Sequence, residues 1–328
     1  MTKTGRDRDG SQNRSAGNTF TALRIDRLPR KRRDPAWVTA QLEAPDARFL
    51  MVWESKVLMT SEPTPHPICL GAKRAEGLLE RADAVILLGE KEGYTYVALG
   101  LPPGGGQPPT RLTELGTFRR LRAVAPLLDG EAAGLLAYAK AMVQYHQGHQ
   151  FCTTCGSPTK AEEGGHLRVC TSAQCGQQDF PRSDPAIIVL VRSGERCLLG
   201  RQPAWPEHLY SIIAGFVEPG ESLEAAVARE VREETGIQVR QVRYNSSQPW
   251  PFPRSLMIGF TAEAKTTAIR LRDGELEDAR WLSREEIQQE MKRGTLQLPS
   301  SISISHRLIE TWFDAKGSVT LKEVFDSA

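Results

Sequence analysis

The sequence predicts an α+β protein of several modules, and three observations support this fold class. Short apolar runs that suit strands fill the first third of the chain and precede one long amphipathic helix. Four cysteines cluster within residues 152–175. From residue 184 onward, strand-like and helix-like segments alternate, and 328 residues are enough for two or three domains with sizeable cores.

Hydrophobic periodicity and turn residues place the elements in order. The first half predicts a helix at 131–145 after strands at 47–53, 56–60, 84–88 and 94–101. The second half predicts a hairpin at 186–191 and 196–200, then strands at 239–244, 256–262 and 279–282. Ser283 and Glu286 have the spacing of a capping box and begin a helix, and the last helix is predicted at 305–315.

These patterns divide the chain into five segments. Residues 1–33 carry ten Lys or Arg against three Asp and lack apolar periodicity, so a disordered basic head is predicted at 1–34. Four segments follow: an N-terminal α+β domain at 35–147, a cysteine module at 148–182, a C-terminal domain at 183–318 and a tail at 319–328. The net charge of +2 gives no strong global field, and no apolar run approaches 18 residues, so no membrane span is expected.

The most informative segment has the spacing G-x5-E-x7-R-E-U-x-E-E-x-G-U from Gly215 to Ile237, where U is apolar. Glu230, Glu233 and Glu234 fall on one side of a predicted helix, where like charges repel by about 0.2–0.5 kcal/mol per pair. A divalent cation reverses the sign of this interaction, and carboxylate oxygens suit Mg²⁺ or Mn²⁺.

Helix geometry indicates which acids face the core. At about 100° per residue, Glu230 and Glu234 lie close together and continue the apolar stripe of the helix, whereas a solvated charge face would lie opposite it. Arg229 precedes Glu233 by four residues and is placed to hold its carboxylate. Ser222 is the predicted N-cap, and Gly236 suits a left-handed C-cap.

The cysteines have the spacing of a structural zinc site. Two pairs, Cys152-x2-Cys155 and Cys170-x4-Cys175, are separated by fourteen residues, and four thiolates leave no open position on a tetrahedral Zn²⁺. A zinc module behind a basic head could instead bind nucleic acid. The module has no stripe of basic and aromatic residues, however, so DNA binding is not expected.

A proline-rich stretch, S-Q-P-W-P-F-P-R-S, occupies residues 247–255. Its three prolines favour extended backbone, and Trp250 and Phe252 alternate with them. Such a loop suits a pocket for a planar base, and by composition it equally suits a packed loop at a sheet edge.

The segment from Gly215 to Ile237 is identified as a Nudix box. Together with the cysteine module, F-P-R-S-D-P at 180–185 and the nonapeptide at 247–255, it resembles the NADH pyrophosphatase family, also called NAD-capped RNA hydrolases, over residues 149–310. The resemblance implies a Nudix α/β/α sandwich behind a four-cysteine zinc ribbon and an N-terminal α+β domain that is itself Nudix-like. It also implies a hydrolase that uses two or three Mg²⁺ or Mn²⁺ ions and one structural Zn²⁺ per subunit.

The resemblance also implies residue roles. Metal ligands would be Glu230, Glu234, Glu275 and the carbonyl of Ala214. Glu233, held by Arg229, is the candidate for orienting or deprotonating water, and Glu230 and Glu234 are further candidates for this role. The implied substrate contacts are Phe180, Phe216, Ser247, Gln248, Pro249, Trp250, Pro251, Phe252, Pro253, Arg254 and Ser305.

The resemblance implies that Phe216 and Phe180 sandwich the nicotinamide, and that Phe180 comes from the partner in a homodimer. The family more often has Tyr at the position of Phe180 and Ala at that of Ser305, and the second zinc knuckle is longer than usual.

The implied reaction splits NAD(H) into NMN(H) and AMP, or removes an NAD cap from RNA and leaves a 5′-monophosphate, in the cytoplasm. Two alternatives stay open. One is a Nudix hydrolase for ADP-ribose or another nucleoside diphosphate derivative, and the other is a non-catalytic nucleotide sensor, although such a sensor would be expected to lose box glutamates.

Overall fold

A computed structural model describes residues 13–61, 63–103, 107–272, 274–317 and 319–327. The chain forms two compact units. The first contains Ala22–Ser183 and Pro249–Ser255, and the second contains the N-terminal segment as far as Thr21, Asp184–Gln248 and the chain from Leu256 onward. No helix in these described ranges is long and apolar enough to cross a membrane.

The first unit begins with these elements: α1 (Pro35–Glu43), β1 (Ala47–Trp53), β2 (Lys56–Met59), β3 (Cys69–Leu70), α2 (Ala72–Leu79), β4 (Ala84–Lys91), β5 (Tyr94–Leu101), α3 (Thr110–Thr113), β6 (Thr117–Arg120), α4 (Leu121–Val124) and α5 (Gly130–Gly148). Its strands form a six-stranded sheet of order β4-β5-β1-β2-β6, in which β3 also pairs with β1. Strands β1 and β5 run parallel, and the other neighbouring strands of this sheet are antiparallel.

The apolar residues of this sheet form a closed core. Phe49 and Met51 of β1 pack with Leu99 of β5 and with Leu78 of α2. Helix α5 packs on β4 and β5 and buries most of its length, including Lys140. The strands and the helix predicted in this half are confirmed, and the bounds of β1 and β5 match the apolar runs.

A three-stranded antiparallel sheet completes the first unit. Strands β7 (Thr159–Glu162), β8 (Leu167–Cys170) and β9 (Gln178–Asp179) pair in chain order. Cys170 ends the central strand β8, and Cys175 lies in the connection between β8 and β9.

The structure differs from the disordered head expected at 1–34. Residues Arg14–Gly17 and Lys31–Arg33 form 3-10 turns, and Asp26 forms a β-bridge with Glu90. Arg33 lies 3.2 Å from the carboxylate of Glu163. Basic residues of this segment therefore form ion pairs with carboxylates and hydrogen bonds with backbone carbonyls, which composition alone does not predict. Residues 1–12 of the expected head lie outside the described residues, and the predicted domain boundaries stay predictions.

The second unit contains the elements β10 (Asp184–Ser193), β11 (Arg196–Arg201), β12 (Ile213–Phe216), α6 (Leu223–Thr235), β13 (Val239–Trp250), β14 (Ser255–Ala264), β15 (Asp278–Ser283), α7 (Arg284–Lys292), α8 (Ile304–Asp314) and α9 (Leu321–Ser327). Its strands form a six-stranded sheet of order β13-β14-β10-β11-β15, and β12 pairs with β10. The capping box at Ser283 is present, and α9 occupies the predicted tail.

Both faces of this sheet are covered by helices. Strand β10 is apolar at successive positions, and successive side chains of a strand point to opposite faces, so β10 contributes to a core on each face. Ile187 and Val189 pack with Val227 of α6. Ile188 and Leu190 point to the other face, where the core includes residues of α7, α8 and α9. An apolar run without alternation is typical of a strand buried on both sides, and the α/β/α sandwich is confirmed.

Candidate active site

Strand β12 and helix α6 bring a carboxylate against the backbone of a glycine. Ala214, Gly215 and Phe216 pair with β10. A Cβ atom at Gly215 would lie 2.1 Å from Cδ of Glu230, so a side chain there would displace the carboxylate. Glycine at this position of the motif therefore lets the Glu230 carboxylate pack directly against β12.

Helix α6 has the predicted caps and orientation. The Ser222 hydroxyl accepts a hydrogen bond from the backbone N–H of Ala225, and Gly236 ends the helix with a φ of 72°. Glu234 is only 3% exposed, Glu230 is half-buried and Glu233 is exposed. The two acids predicted to continue the core-facing stripe therefore lie on the buried side.

Arg229 joins the loop before α6 to the acids on it. Its guanidinium donates to both carboxylate oxygens of Glu221, at 2.6 and 3.1 Å. Nη1 lies 2.9 Å from Glu230 and 3.1 Å from Glu233. Nη2 also donates to the backbone carbonyl of Phe216, at 2.9 Å. The predicted contact with Glu233 is present, and this one side chain also holds the loop and β12.

The carboxylates differ in their electrostatic surroundings. Burial raises the pKa of Glu230, and the charges of Glu275 and Glu233 raise it further against the opposing effect of Arg229. Hydrogen bonds from Arg229 lower the pKa of Glu221. Several negative groups thus surround Glu230, and a cation beside it would relieve their repulsion.

The donors around Glu230 suit a hard divalent cation. Carboxylate and carbonyl oxygens are the ligands that Mg²⁺ and Mn²⁺ prefer. Glu275 is exposed and acts electrostatically on Glu230. The residues fit a divalent metal by donor type and charge.

The neighbouring acids of Glu275 are engaged elsewhere. Glu277 forms an ion pair with Arg201. Asp278 accepts a hydrogen bond from the Tyr210 hydroxyl at 2.5 Å. Glu277 and Asp278 therefore have partners inside the second unit.

The first part of the nonapeptide lies in β13 and is held by other parts of the second unit. The backbone N–H of Ser247 donates to Oγ of Ser15 at 3.0 Å, and Nδ2 of Asn18 donates to the Ser247 carbonyl at 2.9 Å. Gln248 is fully buried, and its amide donates to Ile302 and accepts from the N–H of Ile304. The Gln248 side chain, predicted to contact substrate, therefore has a structural role in this chain.

The second part of the nonapeptide turns back within the first unit. Trp250 and Phe252 form an edge-to-face pair with ring centroids 5.1 Å apart. The three prolines differ in exposure: Pro251 is buried, whereas Pro249 and Pro253 are exposed. Arg254 is also exposed. The aromatic pair is half-buried and keeps accessible ring surface.

The remaining predicted substrate residues fall into two groups. Phe216 and Phe180 are 59% and 52% exposed, which is unusual for large apolar side chains and suits a binding role. Ser305 is only 1% exposed, and its hydroxyl lies 2.7 Å from that of Ser211. Ser305 is therefore engaged inside the second unit.

The four cysteines form a compact cluster in the first unit. Their sulfur atoms all lie within 4.8 Å of one another, with 3.8 Å between Cys152 and Cys175 and 3.4 Å between Cys155 and Cys170. Tetrahedral Zn–S bonds of about 2.3 Å place two sulfurs about 3.8 Å apart. Hydrogen bonds from Ser157 lower the pKa of the Cys155 thiol to about 6. The cluster therefore fits a closed, structural Zn²⁺ site.

Sequence reasoning missed several residues that organise this site. The sequence motif assigns no role to Glu221, and Ser15 and Asn18 lie in the head that composition predicts to be disordered. Lys140 of α5, which donates to the carbonyl of Pro251, was not singled out. A lysine within the apolar face of a long helix is the signal that could have drawn attention to it.

Three family models match the chain. A model described as NUDIX domain matches residues 181–299. A model described as NADH pyrophosphatase-like rudimentary NUDIX domain matches residues 46–144, and one described as NADH pyrophosphatase zinc ribbon domain matches residues 148–178.

Curated relatives span most of the chain. NAD-capped RNA hydrolase NUDT12 of Macaca fascicularis is 34% identical over 337 residues, which cover 90% of this chain and 73% of that protein. The Homo sapiens protein of the same name is 33% identical over the same shares. NAD-capped RNA hydrolase NudC of Mycobacterium tuberculosis (strain CDC 1551 / Oshkosh) is 44% identical over 202 residues, 58% of this chain and 64% of that protein. Among solved structures, a NUDIX hydrolase from Nitrosomonas europaea is 19% identical with a TM-score of 0.42, and covers 51% of this chain and 92% of that one.

Proposed function

The chain belongs to the NADH pyrophosphatase family of Nudix hydrolases, and from this premise we propose that it hydrolyses the pyrophosphate of NAD(H) to NMN(H) and AMP. On RNA that carries a 5′-NAD cap, the same cleavage leaves NMN and a 5′-monophosphate RNA. The observation that carries the proposal is the carboxylate set of α6, with Glu234 buried and Glu230 packed on Gly215.

We propose Glu230, Glu234, Glu275 and the carbonyl of Ala214 as the ligands of two or three Mg²⁺ or Mn²⁺ ions. Such ions neutralise diphosphate charge and lower the pKa of a bound water. The like charges around Glu230 and the oxygen-only donors support this assignment. The cysteine cluster would hold one structural Zn²⁺ per subunit.

The protein groups then have distinct tasks in the proposed reaction. Arg229 fixes Glu233 through Nη1 and fixes the preceding loop through Glu221. Glu233 orients the attacking water or accepts its proton as the water oxygen bonds to one phosphorus, a role for which Glu230 and Glu234 are further candidates. The bond between that phosphorus and the bridging oxygen breaks, and the two monophosphates leave.

Substrate recognition is assigned to the aromatic residues. Trp250 and Phe252 of the nonapeptide would form the pocket for a planar base, and Phe216 and Phe180 would sandwich the nicotinamide. Their accessible ring surfaces support this role. We further propose a homodimer, in which Phe180 comes from the partner, and a cytoplasmic location.

A product assay tests the proposed function. Purified protein with Mg²⁺ or Mn²⁺ is incubated separately with NADH, NAD⁺, ADP-ribose and a 5′-NAD RNA, and the products are resolved by chromatography. NMN(H) with AMP, or 5′-monophosphate RNA, is the expected result. Cleavage of ADP-ribose alone would contradict the assignment of the aromatic loop, and no cleavage of any substrate would favour a nucleotide sensor.

A further inference from the structure

Lys140 is a buried cation in the first unit that the proposed reaction does not use. It lies on α5 and is only 4% exposed. Its ammonium donates to the carbonyl of Pro251 and to Oε1 of Gln144, the latter at 2.8 Å. Gln144 in turn donates to the hydroxyl of Ser55 at 3.2 Å. A side chain on the helix of the N-terminal domain therefore reaches the backbone of the nonapeptide.

The same ammonium also lies over an aromatic ring of the nonapeptide. Nζ of Lys140 is 5.0 Å from the centroid of Phe252. Cζ of Arg122, on α4, is 4.9 Å from the centroid of Phe252 and 5.1 Å from that of Trp250. A cation within about 6 Å of an aromatic face is attracted to the ring, and the attraction grows when water is excluded. Two cations thus contact the aromatic pair.

Burying this lysine is costly, so its contacts need to compensate. Within the described residues, no ion pair joins Lys140 or Arg122 to a carboxylate, and burial followed by the nearby charge of Arg122 lowers the pKa of Lys140 to about 8. A buried cation is retained only where polar and aromatic partners replace water. Here those partners are Gln144 and the nonapeptide.

We propose that Lys140, assisted by Arg122, is a positioning residue that holds Trp250, Pro251 and Phe252 in the conformation that binds the nicotinamide substrate. This inference rests on the proposed function. It gives the N-terminal domain, which carries no Nudix box, a task in substrate recognition. Lys140 acts through the loop and makes no contact with the reacting atoms.

The first test is Lys140→Met, which keeps the length and apolar stem of the side chain but removes its charge and hydrogen bonds. Loss of the charge over Phe252 and of the hydrogen bond to Pro251 should raise KM for NADH about tenfold, which corresponds to about 1.4 kcal/mol of substrate binding. The kcat stays within about twofold, because the carboxylates of α6 are untouched. An unchanged KM, or a loss confined to kcat, would overturn the proposal.

Lys140→Arg supplies a second test that does not depend on the first variant folding. The groups that face Lys140 are Arg122 from α4, Gln144 from α5, and Pro251 and Phe252 from the loop, and Arg122 is the charged one among them. In the unchanged protein, deprotonation above about pH 8 removes the charge over Phe252, so KM for NADH rises. A guanidinium stays charged at these pH values. We expect Lys140→Arg to abolish this rise in KM, and a rise that persists in this variant would contradict the proposal.

Lys91→Met is the matched control. Lys91 lies in β4 and pairs with Glu131 of α5, the helix that carries Lys140, and it makes no described contact with the loop. The variant should leave KM and its pH profile unchanged. Failure of the proposed function is separately visible, because the unchanged protein would then release no NMNH from NADH. Normal NADH hydrolysis with unaltered KM in all three variants would overturn the role of Lys140 alone.

Discussion

Arg229 explains how α6 tolerates three glutamates within five residues. Its guanidinium bonds Glu221, Glu230 and Glu233, so positive charge is present among groups that would otherwise repel one another. The contact with Glu233 follows from helical spacing alone. The bidentate contact with Glu221 does not, because Glu221 lies in the loop and only the folded loop brings it to the arginine.

Glu234 provides a direct test of the assigned carboxylates. Glu234→Gln keeps the size of this buried side chain but removes a charged ligand, so kcat for NADH should fall about 100-fold or more. The melting temperature should change little. The control is Glu224→Gln, on the exposed side of α6. Steady-state kinetics with thermal melting check the prediction, and near-normal turnover in Glu234→Gln would contradict it.

Strand β13 shows an element that the sequence predicted only in part. The pattern predicted a strand at 239–244, but the strand continues to Trp250. Its later inward positions are Ser246 and Gln248, which are buried although polar. Alternation of apolar and polar residues cannot reveal such a strand. Its buried groups are satisfied by residues far away in the sequence, including Asn18 and Ile302.

The N-terminal segment is therefore expected to stabilise β13. Asn18→Ala removes the donor to the Ser247 carbonyl in a buried site, which should lower the free energy of unfolding by about 1–3 kcal/mol. Asn13→Ala is the control in the same segment, because Asn13 is exposed and its side chain makes no capping bond. Denaturant titration measures both variants, and equal stabilities would show that the contact contributes nothing.

The zinc ribbon was predicted as an element from spacing, and the sulfur geometry agrees with that prediction. Cys152→Ser should abolish zinc binding and lower the free energy of unfolding by about 3 kcal/mol or more. Cys69→Ser, outside the cluster, should keep the metal. Metal analysis and thermal melting test this pair of variants. Unchanged zinc content in Cys152→Ser would refute the four-cysteine assignment.

At the scale of the whole molecule, the two units are built from segments that are discontinuous in the sequence. The second unit includes residues near the N-terminus, and Pro249–Ser255 belongs with the first. The boundary between the units therefore falls within the nonapeptide. No local pattern predicts this division, because it depends on which long-range contacts each segment makes.

The stability of the whole molecule should depend on pH through two buried histidines of the first unit. Burial lowers the pKa of His146 and His166 to about 4, whereas the unfolded chain takes up these protons near pH 6.5. Between these values the unfolded state binds more protons. The free energy of unfolding therefore falls as pH falls from about 6.5 to 4, by up to about 1.4 kcal/mol per pH unit for each histidine.

Denaturant titrations at pH 7, 6 and 5 measure this slope. In His166→Gln, the amide retains a donor for the Leu87 carbonyl, to which His166 is bonded at 2.9 Å, but cannot be protonated. The variant should show a smaller slope. A slope equal to that of the unchanged protein would exclude His166 as its source.

The modules, the caps and buried face of α6, and the cysteine cluster could be predicted from sequence because each depends on spacing within one short segment. Long-range packing, which local spacing does not predict, brings Glu221 to Arg229, buries Gln248 and Ser305, and places Ser15 and Asn18 against β13. It also brings the ammonium of Lys140 to the carbonyl of Pro251. These contacts join residues that are far apart in the chain. A polar group can be buried at such a position only when the folded chain supplies hydrogen-bond partners that replace water.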